Sequence, residues 1–473
     1  MALLAFALVV AGCAANNRKP NLPRIFPAEQ TARQTGKPPI IIIPGILGSE
    51  LVDQKSNLRL WPELFPKEPT ALELPIASVN FAENRDEIVA TRVIESAQLI
   101  KLLPELGVYG ALLESLEKYG GYRRGDIDAP APGGDRDTYY LFAYDWRRDN
   151  VESAGRLAEK IARLQERLNR PDLRFDIIAH SMGGLVARYY AMYGERDALN
   201  DAEPRPDWSG ARHVHRLMMF GTPNAGAMDA FRSLLRGYSV TEADKPRLQL
   251  FRALDQGMIF SAPSVYQLMP RNHAAKFYDA NLNPVPIDLF DAATWKTYRW
   301  AAAYDPTFLK AELKSMSRKF GSAKALAEFE QRTLHRERYL RAALARAAGF
   351  HRALDAAGAP PDNLRLHIFG GDCSPTLAGG LLLETTGATR TLFYPGSIPR
   401  ALRSRAYDLI FLPGDGRVTR QSLFGLTLSE KAPISAMKQA PDRVMFGCEA
   451  HGDLPINPTI INNLVTLLLG NKY

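Results

Sequence analysis

The sequence predicts an α/β architecture: a mostly parallel central sheet flanked by helices, with a helical insertion. Three observations carry that expectation. Short apolar runs suited to buried strands recur at Ile40 to Ile43, Tyr139 to Tyr144, Phe175 to Ala179 and Leu217 to Phe220. Between two of them, Leu157, Ile161, Leu164 and Leu168 share one helix face, and such alternation argues for parallel strands joined by crossover helices. The strand pattern lapses after about residue 227 and returns at Leu364 to Phe369 and Arg443 to Phe446, before a terminal helix expected over Pro458 to Leu469.

Taken from the start, Ala2 to Val10 is an apolar run too short to span a bilayer, which suits the h-region of a signal peptide. It ends in Val10-Ala11-Gly12-Cys13, a string that resembles a bacterial lipobox, with Cys13 as the lipidation site. Ala14, not Asp, follows; by the same resemblance this favours an outer-membrane-anchored periplasmic lipoprotein. No Lys or Arg precedes the run, so an ordinary signal peptide and a secreted or periplasmic product stay open. Residues 1–12 are thus expected to be a signal peptide and 13–38 a proline-punctuated tether. The catalytic core should occupy 39–226 and 362–473, interrupted by a helical cap over 227–361. Within the cap, Ser322 to Ala348 is rich in alanine and charge, with Leu340 and Leu344 one turn apart, while Met258, Ile259 and Phe260 are expected to be exposed toward lipid.

Composition narrows the class. In 473 residues, 46% hydrophobic and 23% charged usage is close to that of ordinary globular proteins, which argues against a disordered chain and a polytopic membrane protein. A net charge of +8 permits weak attraction to an anionic membrane surface, but no basic run interleaved with aromatics suggests a nucleic-acid groove. The three cysteines show neither C-x-x-C nor Cys/His spacing, so neither a metal site nor any cofactor is expected. Cys373 and Cys448 both fall at strand ends near the active edge and make one possible disulfide pair in an oxidising compartment, with two free thiols as the alternative that the sequence leaves open.

The strongest chemical signal is Asp176-Ile177-Ile178-Ala179-His180-Ser181-Met182-Gly183-Gly184, an apolar strand ending in a tight turn that leads into helical sequence. This is a nucleophile elbow with Ala in place of the first Gly; the turn is strained, so its flanks must be small. It turns the α/β expectation into an α/β-hydrolase fold. A serine hydroxyl needs a histidine to take its proton and a carboxylate to orient that histidine, and in this fold the chain order is serine, acid, histidine. His451 is the only histidine after residue 367. Among Asp372, Asp408, Asp415 and Asp442, Asp415 leads, because Leu412-Pro413-Gly414-Asp415-Gly416 is a glycine-flanked loop after an apolar run; Asp372 is second. The oxyanion hole requires two backbone N–H groups: one from Met182, after the nucleophile, and one from Ile46 in the Pro44-Gly45-Ile46-Leu47-Gly48 loop.

Six motifs now recur in order: Pro44-Gly45-Ile46-Leu47-Gly48-Ser49-Glu50-Leu51, Ala143-Tyr144-Asp145-Trp146-Arg147, Ala179-His180-Ser181-Met182-Gly183, Phe220-Gly221-Thr222-Pro223-Asn224-Ala225-Gly226, Gly414-Asp415-Gly416-Arg417-Val418 and His451-Gly452. Together they resemble the lecithin:cholesterol acyltransferase family, which includes lysosomal phospholipase A. The resemblance implies an acyl-serine formed from a phospholipid or other lipid ester and passed to water or an alcohol, with Ser181, Asp415 and His451 as triad and Ile46 and Met182 as oxyanion donors. It also implies that Trp61 contacts acyl chains from a lid, although a structural Trp fits equally. Asp145 and Arg147 suit a structural ion pair. Two rival readings remain: a carboxylesterase or thioesterase for soluble esters, and a catalytically silent lipid-binding lipoprotein.

Overall fold

The computed structural model describes residues 35–62, 71–95, 109–238, 254–271, 274–427, 434–435 and 441–470. Cys13 and the expected signal peptide lie outside the described residues. A seven-stranded sheet is built from β1 (Ile40–Ile43), β2 (Arg123–Arg124), β3 (Thr138–Leu141), β4 (Phe175–His180), β5 (Val214–Phe220), β6 (Arg365–Gly371) and β7 (Arg443–Gly447). Its order is β7-β6-β5-β4-β1-β3-β2, and every pairing is parallel.

Parallel strands covered on both faces must be apolar on both, which is why β1 is a run of isoleucines. Ile41 and Ile43 enter one core with Leu157, Ile161 and Leu164 of helix α2 (Asn150–Arg167), α1 being Gly110–Lys118. Ile40 and Ile42 enter the other with Leu112 and Leu116 of α1. Helix α2 starts where the Asp149 side chain accepts the Val151 N–H, and Glu152 in its first turn and Arg167 in its last complement the helix dipole. Helix α3 (Met182–Tyr193) follows β4 directly, and every one of its residues is buried.

Between β5 and β6 lie α4 (Met228–Arg236), α5 (Gln256–Ser261) and the long α6 (Ser322–Asp355). The insertion departs from a purely helical cap. Lys276–Tyr278 and Pro284–Val285 join Gly379–Thr385 and Ala388–Leu392, from beyond β6, in a four-stranded sheet. Strands of two and three residues are too short to show a period in sequence. Met258, Ile259 and Phe260 are buried rather than exposed, because α5 packs its apolar residues into the main core.

After β6, Ser374–Leu377 pairs antiparallel with Phe411–Gly414, carrying the chain to Asp415. The disulfide Cys373–Cys448 ties the ends of β6 and β7 together, with Cα atoms 5.1 Å apart. The chain closes with α7 (Pro458–Leu469), capped by the Asn457 side chain, whose Ile460, Leu464 and Leu468 pack beside α1.

Candidate active site

Strand β4 ends at His180, and Ser181 turns the chain into α3 with φ 52° and ψ −124°, a conformation disfavoured for residues bearing a side chain. The turn is held by Ser181 N–H donating to Phe220 O at 2.7 Å and Gly184 N–H to Ser181 O at 3.0 Å. A Cβ on Gly183 would collide with the Pro44 and Ile43 carbonyls, and one on Gly184 with Thr222, so α3 can approach β1 and β5 only with glycine there. Local sequence therefore places the hydroxyl at the C-terminal edge of the sheet, on the floor of a pocket.

The structure brings Ser181, His451 and Asp415 into one line. His451 Nε2 lies 2.8 Å from Ser181 Oγ, and His451 Nδ1 lies 2.8 Å from Asp415 Oδ2. The other Asp415 oxygen accepts the Val418 N–H at 2.7 Å and the Arg417 N–H at 3.0 Å, so the carboxylate is fixed in orientation. The His451 N–H also donates to Asp415 O at 2.8 Å. Gly221, with φ 54°, backs the imidazole: a Cβ there would stand 2.9 Å from His451 Nδ1. Asp372, the second choice for the acid, sits beside the disulfide and does not reach the histidine, since both Nδ1 and Nε2 of His451 are already engaged.

Ile46 lines the same pocket as Ser181, and Met182 opens α3, where backbone N–H groups lack partners within the helix. Sequence reasoning missed what holds the Pro44–Ser49 loop. Tyr109 OH accepts the Gly45 N–H at 3.0 Å and lies 3.0 Å from His180 Nδ1. His180 Nε2 lies 3.1 Å from His451 O, which requires the proton on Nε2 and leaves Nδ1 to accept from Tyr109. Burial, and then the charge of His451, press the His180 pKa down to about 3, so it stays neutral beside His451. From the other side, Tyr144 OH donates to Pro44 O at 3.0 Å and Trp146 Nε1–H to Ser49 O at 3.2 Å.

Trp61, expected as an acyl-chain contact, is instead 1% exposed. It donates to Leu47 O at 2.8 Å and packs edge-on against Trp146 at 5.7 Å, behind the loop and outside the pocket lining. The physical reason is that an indole buried this deeply needs an acceptor for its N–H, and the Leu47 carbonyl supplies it. Arg147 is fully buried between Asp145 and Asp86, the structural ion pair expected from sequence.

The pocket over Ser181 has a volume of about 100 Å³ and a mainly apolar wall, including Leu254, Ile259, Val265 and Leu268. A larger groove of about 1150 Å³, polar and open, runs beside Asp149, Glu152 and Arg346 but contains none of the triad positions. The smaller pocket is the candidate site because it joins concavity to the serine. Among the described residues, no group of three or more His, Cys, Asp or Glu side chains is placed to hold a metal ion.

A parallel sheet carrying a serine elbow at the C-terminal edge of β4, under an apolar pocket, defines an α/β-hydrolase. A family model described as lecithin:cholesterol acyltransferase matches residues 109–336, so the resemblance read from the motifs is borne out. That stretch includes Ser181 but neither Asp415 nor His451. Among solved structures, the chain is similar to the crystal structure of the Tle4–Tli4 complex at 14% identity and TM-score 0.52, over 93% of this chain and 100% of that one. It also aligns with the mature form of Bacillus licheniformis lipase BlEst2 at 11% identity and TM-score 0.32, over 92% of each. At 14% identity the likeness to the Tle4–Tli4 structure is one of fold. No curated protein matches. Fold and family match together support a lipid acyl hydrolase or acyltransferase.

Proposed function

We propose that this chain is a serine lipid acylhydrolase or O-acyltransferase that cleaves an acyl ester of a phospholipid. The observation that most supports the reading is the unbroken line from Ser181 through His451 to Asp415 beneath an apolar pocket. His451 Nε2 takes the Ser181 proton as Oγ attacks the ester carbonyl, and Asp415 supports the imidazolium through Nδ1–H. The oxyanion is held by the N–H groups of Ile46 and Met182, each worth about 3–4 kcal/mol in the transition state. As the C–O bond breaks, His451 returns the proton to the leaving lysolipid oxygen, and Ser181 carries the acyl group. Water or an alcohol then gives its proton to His451 and attacks the acyl-serine, and as the acyl–Oγ bond breaks His451 returns that proton to Ser181, releasing fatty acid or a new ester.

The reading extends to location: Cys13 lipidation would hold the chain at the bacterial envelope, where phospholipid is at hand. Globomycin-sensitive processing, lost in Cys13→Ser, is the expected result; unaltered processing in either case would reject lipidation.

The test incubates the protein and Ser181→Ala with phosphatidylcholine and phosphatidylethanolamine vesicles, with and without a sterol or long-chain alcohol, and follows products by mass spectrometry. Serine-dependent fatty acid is expected, and acyl ester if an alcohol is accepted. The small pocket volume favours a second reading, an esterase for short soluble esters. Smooth saturation by such esters, with no rise above the aggregation point of longer ones, would select it.

A further inference from the structure

The helix Pro306–Phe320 and α6 form a hairpin joined by a single residue, Gly321. Gly321 has φ 79°; its N–H donates to Ser317 O at 3.1 Å and its carbonyl accepts the Ala325 N–H at 3.0 Å, so the turn is fixed from both sides. Met316 and Ala325 are buried behind the turn, whereas Phe320 is 41% and Leu326 50% exposed. The same segment carries Lys314, Arg318, Lys319 and Lys324, all exposed, and no acid between Glu312 and Glu328. Glu312 turns inward to Arg336, and among the described residues none of the four cations has an acidic partner. Lys319 Nζ lies 5.3 Å and Lys324 Nζ 5.4 Å from the centre of the Phe320 ring.

Single exposed apolar residues are ordinary on a protein surface, and Arg318 and Lys319 complement the dipole in the last turn of their helix. Neither point covers Lys324. It stands in the first turn of α6, where a cation opposes the dipole and no side chain caps the helix. A cation that weakens its own helix, held over an exposed aromatic ring, is explained by a partner that is both anionic and apolar. A bilayer with anionic headgroups offers both, phosphates at the surface and hydrocarbon just beneath. The hairpin also lies within reach of the site. Arg332 of α6 pairs with Glu73, which abuts Gly257 of α5, and Ile259 of α5 lines the pocket over Ser181. From Arg332 to the start of α6 at Ser322 is about 15 Å at helical rise.

We propose that the hairpin tip is a membrane-docking element: Phe320 and Leu326 enter the surface of an anionic bilayer, and Lys314, Arg318, Lys319 and Lys324 meet its headgroups. The inference rests on the phospholipid reading for its purpose and names the surface that brings the chain to its substrate.

The test measures sedimentation of the full chain with phosphatidylcholine vesicles, with and without phosphatidylglycerol as roughly a third of the lipid. Cys13→Ser and Ser181→Ala are carried throughout, so that no acyl anchor contributes and the vesicles stay intact. Binding that rises with phosphatidylglycerol and falls with salt is expected. Lys319→Gln with Lys324→Gln should weaken it about tenfold or more, since each lysine at an anionic surface contributes about fivefold. Phe320→Ser with Leu326→Ser should also weaken it about tenfold. With Ser181 restored, both double variants should keep the parent kcat/KM on a short soluble ester, so that lost binding is not lost fold. Parent binding without dependence on phosphatidylglycerol would overturn the proposal, as would unchanged binding in the lysine variant. Indifference to Phe320 and Leu326 would also overturn it, leaving a general attraction to polyanions such as an acidic protein. Because Ser181 is absent from the binding assay, the two readings fail separately. Tip-dependent binding without serine-dependent fatty acid would sink the phospholipid reading alone, and fatty acid release with unaltered binding of the tip variants would sink this inference alone.

Discussion

Asp415 shows how much one residue can be asked to do. Its two oxygens serve different partners, Nδ1 of His451 and the N–H groups of Arg417 and Val418. Asp415→Asn keeps the shape but offers an amide donor where an acceptor is needed, favouring the wrong histidine tautomer. The expected outcome is a fall in kcat of roughly 10³–10⁴-fold with KM little changed, measured on a soluble ester. Tyr109 acts at one remove, since its hydroxyl joins the Gly45 N–H to His180. Tyr109→Phe orphans both partners in a buried setting. It should cost about 1–3 kcal/mol by denaturant unfolding and lower kcat more than it changes KM. Ser181, His451 and Asp415 were legible in sequence because strand, turn and chain order constrain them. Tyr109 was not, because nothing within a helix start at residue 109 points to a histidine 71 residues away.

At the scale of elements, the ends of β6 and β7 carry the loops that present the acid and the histidine. Their disulfide closes a span of 75 residues, three positions before His451. Replacing Cys373 and Cys448 by Ser should lower stability by about 2–4 kcal/mol in thermal or urea unfolding. It should also reduce kcat, because both loops lose a shared anchor. Full stability and activity in the double variant would show that hydrogen bonding alone positions them. The strands themselves were legible: β1 appears in sequence as an unbroken apolar run and β4 as an apolar run interrupted by Asp176, since both faces of a parallel sheet are covered. The short strands at Lys276–Tyr278 and Pro284–Val285 were not, because their pairing partners come from residues 379–392.

For the whole molecule, the junction of cap and core carries a titratable cluster. Glu73 faces Asp255 at the start of α5, Arg332 and Arg336 of α6, and Glu312 of the helix Pro306–Phe320. Arg332 reaches Glu73 at 3.6 Å and Glu312 at 3.5 Å, while Arg336 holds Glu312 at 2.5 Å. Burial, then repulsion from Asp255, raise the Glu73 pKa from 4.5 to about 7. The folded chain therefore keeps a proton that the unfolded chain releases, so this contribution to stability is complete below pH 4.5 and lost as pH climbs to about 7. Glu73→Gln should flatten that fall, by about 1–3 kcal/mol across the window, in unfolding measured at several pH values. An unchanged slope would assign the pH dependence to other groups.

The sequence by itself determined most strands of the central sheet, the elbow, and the order of serine, acid and histidine, because each depends on local pattern or on chain order within a known architecture, whereas the pairing of Cys373 with Cys448 was decided by the structure. Tertiary structure alone decided that Trp61 braces the Leu47 carbonyl and that Met258 to Phe260 are buried. It also decided that Tyr109 and His180 brace the Gly45 loop and that Arg417 and Arg232 share Asp229. The physical reason is common to all of these: hydrophobicity says that a side chain seeks cover and polarity that it seeks a partner, but only packing between distant segments says which.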